Sequence, residues 1–177
     1  PTFGQPAIEA WKQAAFVFGS YEVFEDTDLA SSLPGLVAQA KDDLEASLFA
    51  VGSGSSAPKG IVTALVAASG TTKVSPTTGG TFTTASVADV YKPVAGLNPR
   101  HRGRSQWVAN YAVYNIIRQM SASAAGSSFW ANLGANVPEV LLGRPVYEAS
   151  AMDSAMTTGS KVLIAGDFSN FVIFDRI

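Results

Sequence analysis

Apolar residues recur every three or four positions between residues 29 and 48, which is the spacing of one face of an α-helix. These residues are Leu29, Leu33, Leu36, Val37, Ala40, Leu44 and Leu48. Pro34 interrupts the pattern, and a proline inside a helix costs about 3 kcal/mol. We therefore expect the helix to begin near Leu33 or to kink there, and to end at Gly52.

Two shorter segments also have helical spacing. In the first, the apolar residues are Val87, Val90, Tyr91 and Val94. Pro93 is expected to end or bend this helix. The second begins after Asn110, a predicted N-cap, and its apolar residues are Val113, Ile116, Ile117 and Met120.

The other apolar segments predict extended chain or strands. They are residues 1–25, 61–68, 106–109, 140–149, 161–165 and 170–175. Residues 69–86, 98–104 and 121–128 are rich in small or polar residues and predict loops or turns. Because helices and strands alternate irregularly, the pattern favours an α+β fold over regular βαβ winding.

Composition narrows the class of protein. Of the 177 residues 47% are hydrophobic, which excludes an intrinsically disordered chain. Only 15% are charged, and 12 basic against 14 acidic residues give a net charge of −2, so no overall basic field attracts nucleic acid. With no cysteine and one histidine, the chain lacks thiolate metal sites and offers little for histidine-based catalysis. No apolar run approaches the roughly 20 residues that span a bilayer.

The carboxylates of Asp42, Asp43 and Glu45 share the polar face of the predicted long helix. Paired carboxylates act as acid and base in hydrolases when burial raises the pKa of one of them. Nothing nearby indicates a pocket, so we expect a solvated face or a face that forms salt bridges with another subunit. A small carboxylate-dependent hydrolase is the alternative from another class, and a deep pocket at Asp42 or Asp43 would favour it.

Arg100, His101, Arg102 and Arg104 form the only basic cluster in the sequence. Contacts to an acidic neighbouring subunit, contacts to nucleic-acid phosphates and an inert surface are the open interpretations. The first is favoured, because no aromatic residues are interleaved with the basic ones as in single-strand binders. No G-x-S-x-G motif accompanies His101, and we predict no catalytic, cofactor or metal site.

Five segments, taken in order, resemble the major capsid proteins of tailed bacteriophages, whose shell fold is named after phage Hong Kong 97. The most specific is LFAVGSGSSAPKGI at residues 48–61, similar to the family's helix end followed by G-x-G-x-x-x-P-x-G-I. Residues 15–26 are similar to the family's apolar strand followed by an S-x-E-L-x-x-D entry to a long spine helix. Residues 107–110 are similar to its W-V-x-N stretch, and residues 141–146 to its L-x-G-x-P-V strand, with Met152 downstream. Residues 165–176 are similar to its G-D-F … D-R end strand.

This resemblance implies an α+β capsid fold, with a long spine helix and a mixed-sheet axial domain with flanking helices. Residues 1–52 would be part of the peripheral domain with the end of an extended loop, residues 53–167 the axial domain, and residues 168–177 a return strand. We expect the family's N-terminal arm, most of its extended loop and the rest of its peripheral sheet to lie outside these 177 residues.

The implied function is that of a structural, non-enzymatic subunit of a phage or prophage icosahedral capsid. Copies would assemble into hexamers and pentamers around the genome in the host cytoplasm and remain in the virion. Scaffold, protease, portal and decoration proteins are candidate further partners, contact with packaged DNA would be non-specific, and no membrane is involved. An encapsulin-like shell is the alternative within the same fold.

The resemblance also makes the charged groups candidates for contacts between subunits. These residues are Arg100, Arg102, Arg104, Asp42, Asp43 and Glu45. We expect charge reversal at the three arginines to impair assembly while leaving the chain folded.

Overall fold

The computed structural model describes residues 9–68, 73–74, 87–123, 139–155, 157 and 159–174. The helices in these residues are α1 (Tyr21–Asp26), α2 (Leu29–Val51), α3 (Ile61–Ala67), α4 (Val87–Ala95), α5 (Pro99–Arg102) and α6 (Tyr111–Ser123). The strands are β1 (Gln106–Ala109), β2 (Val140–Leu141), β3 (Arg144–Glu148) and β4 (Leu163–Gly166). The chain divides into two compact units, Pro1–Thr63 with Ile173–Ile177, and Ala64–Val172. None of the described helices is both long enough and apolar enough to cross a bilayer.

The long helix α2 has 23 residues and begins at its first apolar position, so of the two predicted alternatives, a start near Leu33 or a kink there, the first is wrong. Pro34 lies inside it. A proline has no backbone N–H, so the hydrogen bond from position 34 to the carbonyl of Ala30 is missing. The backbone hydrogen bonds of the other turns maintain the helix. The predicted end is confirmed, because Gly52 is the C-cap and its N–H donates to the carbonyl of Leu48 at 2.8 Å.

Two glycines let the segment between α2 and α3 fold back on itself. The N–H of Gly60 donates to the carbonyl of Gly52 at 3.0 Å, and Ser53 forms an antiparallel bridge with Lys59. A Cβ on Gly60 would lie 2.6 Å from the backbone nitrogen of Val51 and closer still to that of Gly52. Glycine is therefore a steric requirement where the two backbone segments meet.

The strands form one mixed sheet in the order β2-β3-β1-β4, with β1 in its interior. β1 runs parallel to β3, with Trp107 opposite Val146, and antiparallel to β4, with Gln106 opposite Gly166. β2 and β3 form an antiparallel hairpin. This register places the residues just before β1 beside the start of β3 and also beside the end of β4.

The core of the second unit lies between the sheet, α4 and α6. Its buried residues are Val90, Trp107, Ala109, Val113, Tyr114, Ile117, Leu141 and Val162. The indole N–H of Trp107 donates to the carbonyl of Leu141 at 2.9 Å, and the hydroxyl of Tyr114 donates to the carbonyl of Tyr147 at 2.9 Å. Both polar groups therefore enter the core with a partner, which avoids the cost of an unsatisfied buried donor.

Asn110 caps α6 as predicted and also fixes the loop after β3. Its Oδ1 accepts from the N–H of Ala112 at 3.0 Å, and its Nδ2 donates to the carbonyl of Ser150 at 2.9 Å. The β1 strand and helix α4 are confirmed as well, although α4 does not end at Pro93 but continues to Ala95. The strand predicted at 161–165 is found at Leu163–Gly166.

Two apolar segments form helices where extended chain or a strand was predicted. Residues 61–67 form α3, and Tyr21–Asp26 form α1. An apolar run of seven or eight residues fits a buried strand and a short helix equally well by pattern alone. At α1 the decisive group is Ser20, whose Oγ accepts from the N–H of Val23 at 3.3 Å and caps the first turn.

The strand-like segment predicted at 140–149 is confirmed as the hairpin of β2 and β3, whose turn includes Gly143 at φ 71°. Two other expectations were wrong in part, because the basic turn contains the short helix α5 and residues 170–174 contain no strand. The predicted loop 69–86 lies outside the described residues except for 73–74. Helix α6 extends into the predicted loop at 121–128, whose remaining part, 124–128, lies outside the described residues.

We expect Gly60→Ala to lower the free energy of unfolding by about 3 kcal/mol or more, since its Cβ would clash with backbone rather than with a movable side chain. Gly35→Ala is the matched control, because nothing lies within 4 Å of a Cβ there and α2 continues through it. This control is expected to raise the free energy of unfolding by up to about 1 kcal/mol. Urea unfolding followed by circular dichroism measures both, and equal stability of the two variants would contradict the close-approach interpretation.

Candidate subunit interface

The sheet register brings two residues of the predicted basic cluster, His101 and Arg104, onto one carboxylate. α5 and the turn after it lead into β1, whose first residue pairs with the last residue of β4. Asp167 follows β4 and therefore lies beside this turn. Its Oδ2 is 3.0 Å from Nη2 of Arg104 and 3.1 Å from Nδ1 of His101.

Asp167 is held firmly in this position. Its side chain is only 7% exposed, and its Oδ1 accepts from the N–H of Ser169 at 3.1 Å. Hydrogen bonds from Ser169 and His101, together with the charge of Arg104, hold the pKa of this carboxyl well below its usual range. Asp167 is therefore ionised at neutral pH and anchors one end of the basic cluster.

Arg102 differs from its neighbours because its guanidinium binds backbone within the same unit. Its Nε donates to the carbonyl of Leu97 at 2.8 Å, and its Nη2 donates to the carbonyl of Ala95 at 2.8 Å. The side chain thereby ties the end of α4 to α5. Arg100, in contrast, is exposed and donates from Nε to Nε2 of His101 at 2.8 Å.

Arg144 is a further basic residue beside this cluster, and it lies 40 positions after Arg104 in the sequence. Its Nε donates to the hydroxyl of Ser105 at 2.5 Å and to the carbonyl of Arg102 at 3.3 Å. The parallel pairing of β1 with β3 explains this contact. When the register is extended to Ser105, the residue just before β1, its partner is Arg144, the first residue of β3.

A groove of about 360 Å³ lies between α4, α5 and the β2–β3 turn. It is lined by Tyr91, Val94, Ala95, Arg102, Leu142 and Arg144. The lining combines apolar side chains with two guanidinium groups and contains no carboxylate. This is not the composition that an acid–base hydrolase site requires.

The predicted acidic residues form a separate group on α2. Asp42 and Asp43 are exposed, and the carboxylate of Glu45 forms a 2.8 Å ion pair with Lys41 one turn away. The hydrolase alternative requires a deep pocket at Asp42 or Asp43, and their exposure counts against it. The described residues contain no group of three or more histidine, cysteine or acidic side chains placed to hold a metal ion.

Comparison with known proteins assigns the family. A family model described as "Phage capsid family" matches residues 1–177. The chain belongs to the phage capsid family. This membership confirms the resemblance read from the five sequence segments, and with it the prediction of a structural capsid subunit. A search of curated proteins found no match.

Two solved capsid structures share the fold of this phage capsid protein. The first is the capsid of a native GTA particle computed with C5 symmetry, with a TM-score of 0.69 and 25% identity over 85% of this chain. The second is the capsid of an empty GTA particle, with a TM-score of 0.64 and 25% identity over 85% of this chain. The phage capsid chain spans about half of these proteins, 54% and 53% of their lengths. The likeness confirms the predicted α+β capsid fold.

We expect Asp167→Asn to remove a pH-dependent part of the stability. Because the folded-state pKa of Asp167 is depressed, the ionised carboxylate stabilises the fold above its usual pKa near 4 and loses that effect as the pH falls through the lower folded-state value. The thermal midpoint of the variant should lie below that of the parent at pH 7, and the difference should shrink as the pH falls below about 4. Asp43→Asn, the same charge change on the exposed face of α2, serves as the control. A difference that stays constant with pH would contradict this role of Asp167.

Proposed function

We propose that this chain comprises the axial domain and the adjoining part of the peripheral domain of a capsid subunit. Copies of the subunit pack head to tail into pentameric and hexameric rings, and the rings tile a closed shell around a genome. Head-to-tail contacts close into a ring when the rotation between neighbours divides a full turn. Each contact can be weak, because every subunit makes several of them at once.

The observation that carries this proposal is the exposure of large apolar side chains in a member of the phage capsid family. Phe16 is 82% exposed and Phe18 is 94% exposed. The apolar run at residues 171–174 is exposed as well, and so are Leu36 and Leu44 on α2. Large exposed apolar areas mark surfaces that another molecule covers.

The presence of two compact units, Pro1–Thr63 with Ile173–Ile177 and Ala64–Val172, supports a division into a peripheral and an axial part, although the proposed bounds lie 11 and 5 residues earlier in the sequence. Residues 1–52 belong to the proposed peripheral part, residues 53–167 to the axial part, and residues 168–177 to a segment returning to the peripheral part. The mixed sheet with α4, α5 and α6 lies within the axial part, and α1 and α2 lie within the peripheral part.

The proposed partners are chiefly other copies of the subunit. Scaffold, protease, portal and decoration proteins are further partners that this role brings with it, and contact with packaged DNA is non-specific. The protein is proposed to assemble in the host cytoplasm and to remain in the particle. Electron microscopy of the full-length protein after expression tests the proposal: closed shells or rings support it, and monodisperse monomers contradict it.

Replacing Phe16 and Phe18 together by Ser is expected to weaken assembly and leave the fold intact. Burying one aromatic side chain against a neighbour contributes about 1.5–3 kcal/mol, so the association constant should fall at least tenfold. Because both rings are exposed within the chain, the free energy of unfolding should change by less than about 0.5 kcal/mol. Sedimentation velocity and thermal unfolding measure the two quantities. Gln13→Ser, an exposed polar position in the same segment, is the control, and equal assembly of both variants would contradict a contact role for the phenylalanines.

Charge reversal should separate Arg100 from Arg102, whereas the sequence suggested a common effect. Arg100→Glu is expected to impair assembly in a folded chain, because the exposed side chain binds no backbone in the described structure. Arg102→Glu should lower the free energy of unfolding by about 1–3 kcal/mol, since it loses the bonds to the carbonyls of Leu97 and Ala95. Thermal unfolding and electron microscopy of both variants test this, with Lys12→Glu as an exposed control. Normal shells from Arg100→Glu at acid as well as neutral pH would end its assignment as a contact between subunits.

A further inference from the structure

We infer that His101 is a proton-sensitive switch for Arg100: the neutral imidazole holds the Arg100 side chain, and protonation releases it to bind a carboxylate of a neighbouring subunit. The inference rests on the proposed function, because it assigns Arg100 a role in contacts between copies. It divides the basic cluster into two residues with fixed partners, Arg102 and Arg104, and one residue whose partner depends on pH.

The orientation of the His101 ring is fixed from one side. Its Nδ1 lies 3.1 Å from Oδ2 of Asp167, the oxygen that also pairs with Arg104 at 3.0 Å. The carboxylate is almost buried and is held by the N–H of Ser169. An ionised carboxylate can only accept hydrogen bonds, so the Nδ1 atom of His101 carries the proton in this contact.

The other ring nitrogen then acts as an acceptor. Nε of Arg100 lies 2.8 Å from Nε2 of His101. A guanidinium group has five N–H donors and no acceptor, so this bond exists only when Nε2 has a free lone pair. The two contacts together specify a neutral ring, protonated at Nδ1, between Asp167 and Arg100.

Binding a proton from solvent at Nε2 breaks one of these contacts and retains the other. The imidazolium has two N–H donors, so Nε2 can no longer accept from Arg100, and two positive charges then face each other. The contact between Nδ1 and Asp167 becomes a salt bridge and keeps the ring in place. The ring is 30% exposed, so the proton can reach it without unfolding of the chain. The ring gains one proton as the new Nε2–H bond, and no other covalent bond forms or breaks.

The other charged groups around the ring do not compete for this role. Arg102, on the same helix, donates to the carbonyls of Leu97 and Ala95, and Arg104, in the following turn, pairs with Asp167. From the end of β4 the only charged group in contact with the ring, within the described residues, is Asp167. Among the arginine contacts of the cluster, the bond from Arg100 to His101 is therefore the one whose acceptor atom can itself bind a proton and become charged.

Nuclear magnetic resonance of the full chain, labelled with 15N in arginine and histidine, tests the switch directly. His101 is the only histidine in the sequence, so its imidazole signals are assigned without ambiguity. As the pH is lowered stepwise, the Nε–Hε signal of Arg100 should shift together with the His101 ring signals, towards the position of a solvated arginine. Arg102 is the internal control, because its Nε makes a bond of the same 2.8 Å length to a carbonyl that does not titrate. An Arg100 signal that follows Arg102 and ignores the ring would overturn the inference.

A second measurement links the switch to assembly. Subunit association measured by sedimentation should rise roughly two- to fivefold per contact over the pH step that shifts the His101 ring signals, which is the size of an exposed ion pair. His101→Gln should remove this rise, because its amide can accept from Arg100 at every pH and never becomes charged. If Arg100 is released by acid and no shells form, the switch stands and the proposed function fails. If shells form and the Arg100 signal does not respond, the switch fails alone.

Discussion

The pairing of β1 with β3 on one side and with β4 on the other positions the charged residues of the candidate interface. The antiparallel register places Gln106 opposite Gly166, and so brings the preceding turn beside Asp167. The parallel register brings Ser105 beside Arg144. A slip of one residue would turn the buried Trp107 to the opposite face of the sheet. Burial of this one indole, with its N–H bonded to Leu141, therefore fixes where the basic cluster lies.

Local signals in the sequence were sufficient for several elements. Gly52 ended α2 and Asn110 began α6 as expected. The cap at Asn110 is local, because its Oδ1 accepts from the N–H of Ala112, whereas glycine is needed at position 52 because the carbonyl of Pro58 lies where a Cβ would be. The family resemblance was also strongest at residues 48–61, where steric contact between backbones demands glycine. Short apolar segments were harder to interpret. The run beginning at Ile61 carries β-branched residues and no helical stripe, yet it forms α3.

The candidate site could be predicted only in part from the sequence. Its basic residues are contiguous and were visible as a cluster, whereas Asp167 is 66 positions from His101 and meets it only through the sheet register. The different roles of the arginines were equally invisible. Nothing in the order of residues shows that Arg102 binds the end of α4 and that Arg100 binds an imidazole. Such differences arise when side chains from separate elements compete for the same acceptors.

The outer strands of the sheet bear on how the molecule can associate. β2 has two residues and β4 has four, so each border offers very few backbone N–H and C=O groups to another chain. Long unpaired strand borders are templates for open-ended stacking into fibres. Within the described residues this restricts edge-to-edge pairing, so the proposed contacts between copies would use side-chain surfaces of defined shape, which favours assemblies of fixed size over filaments that grow without limit.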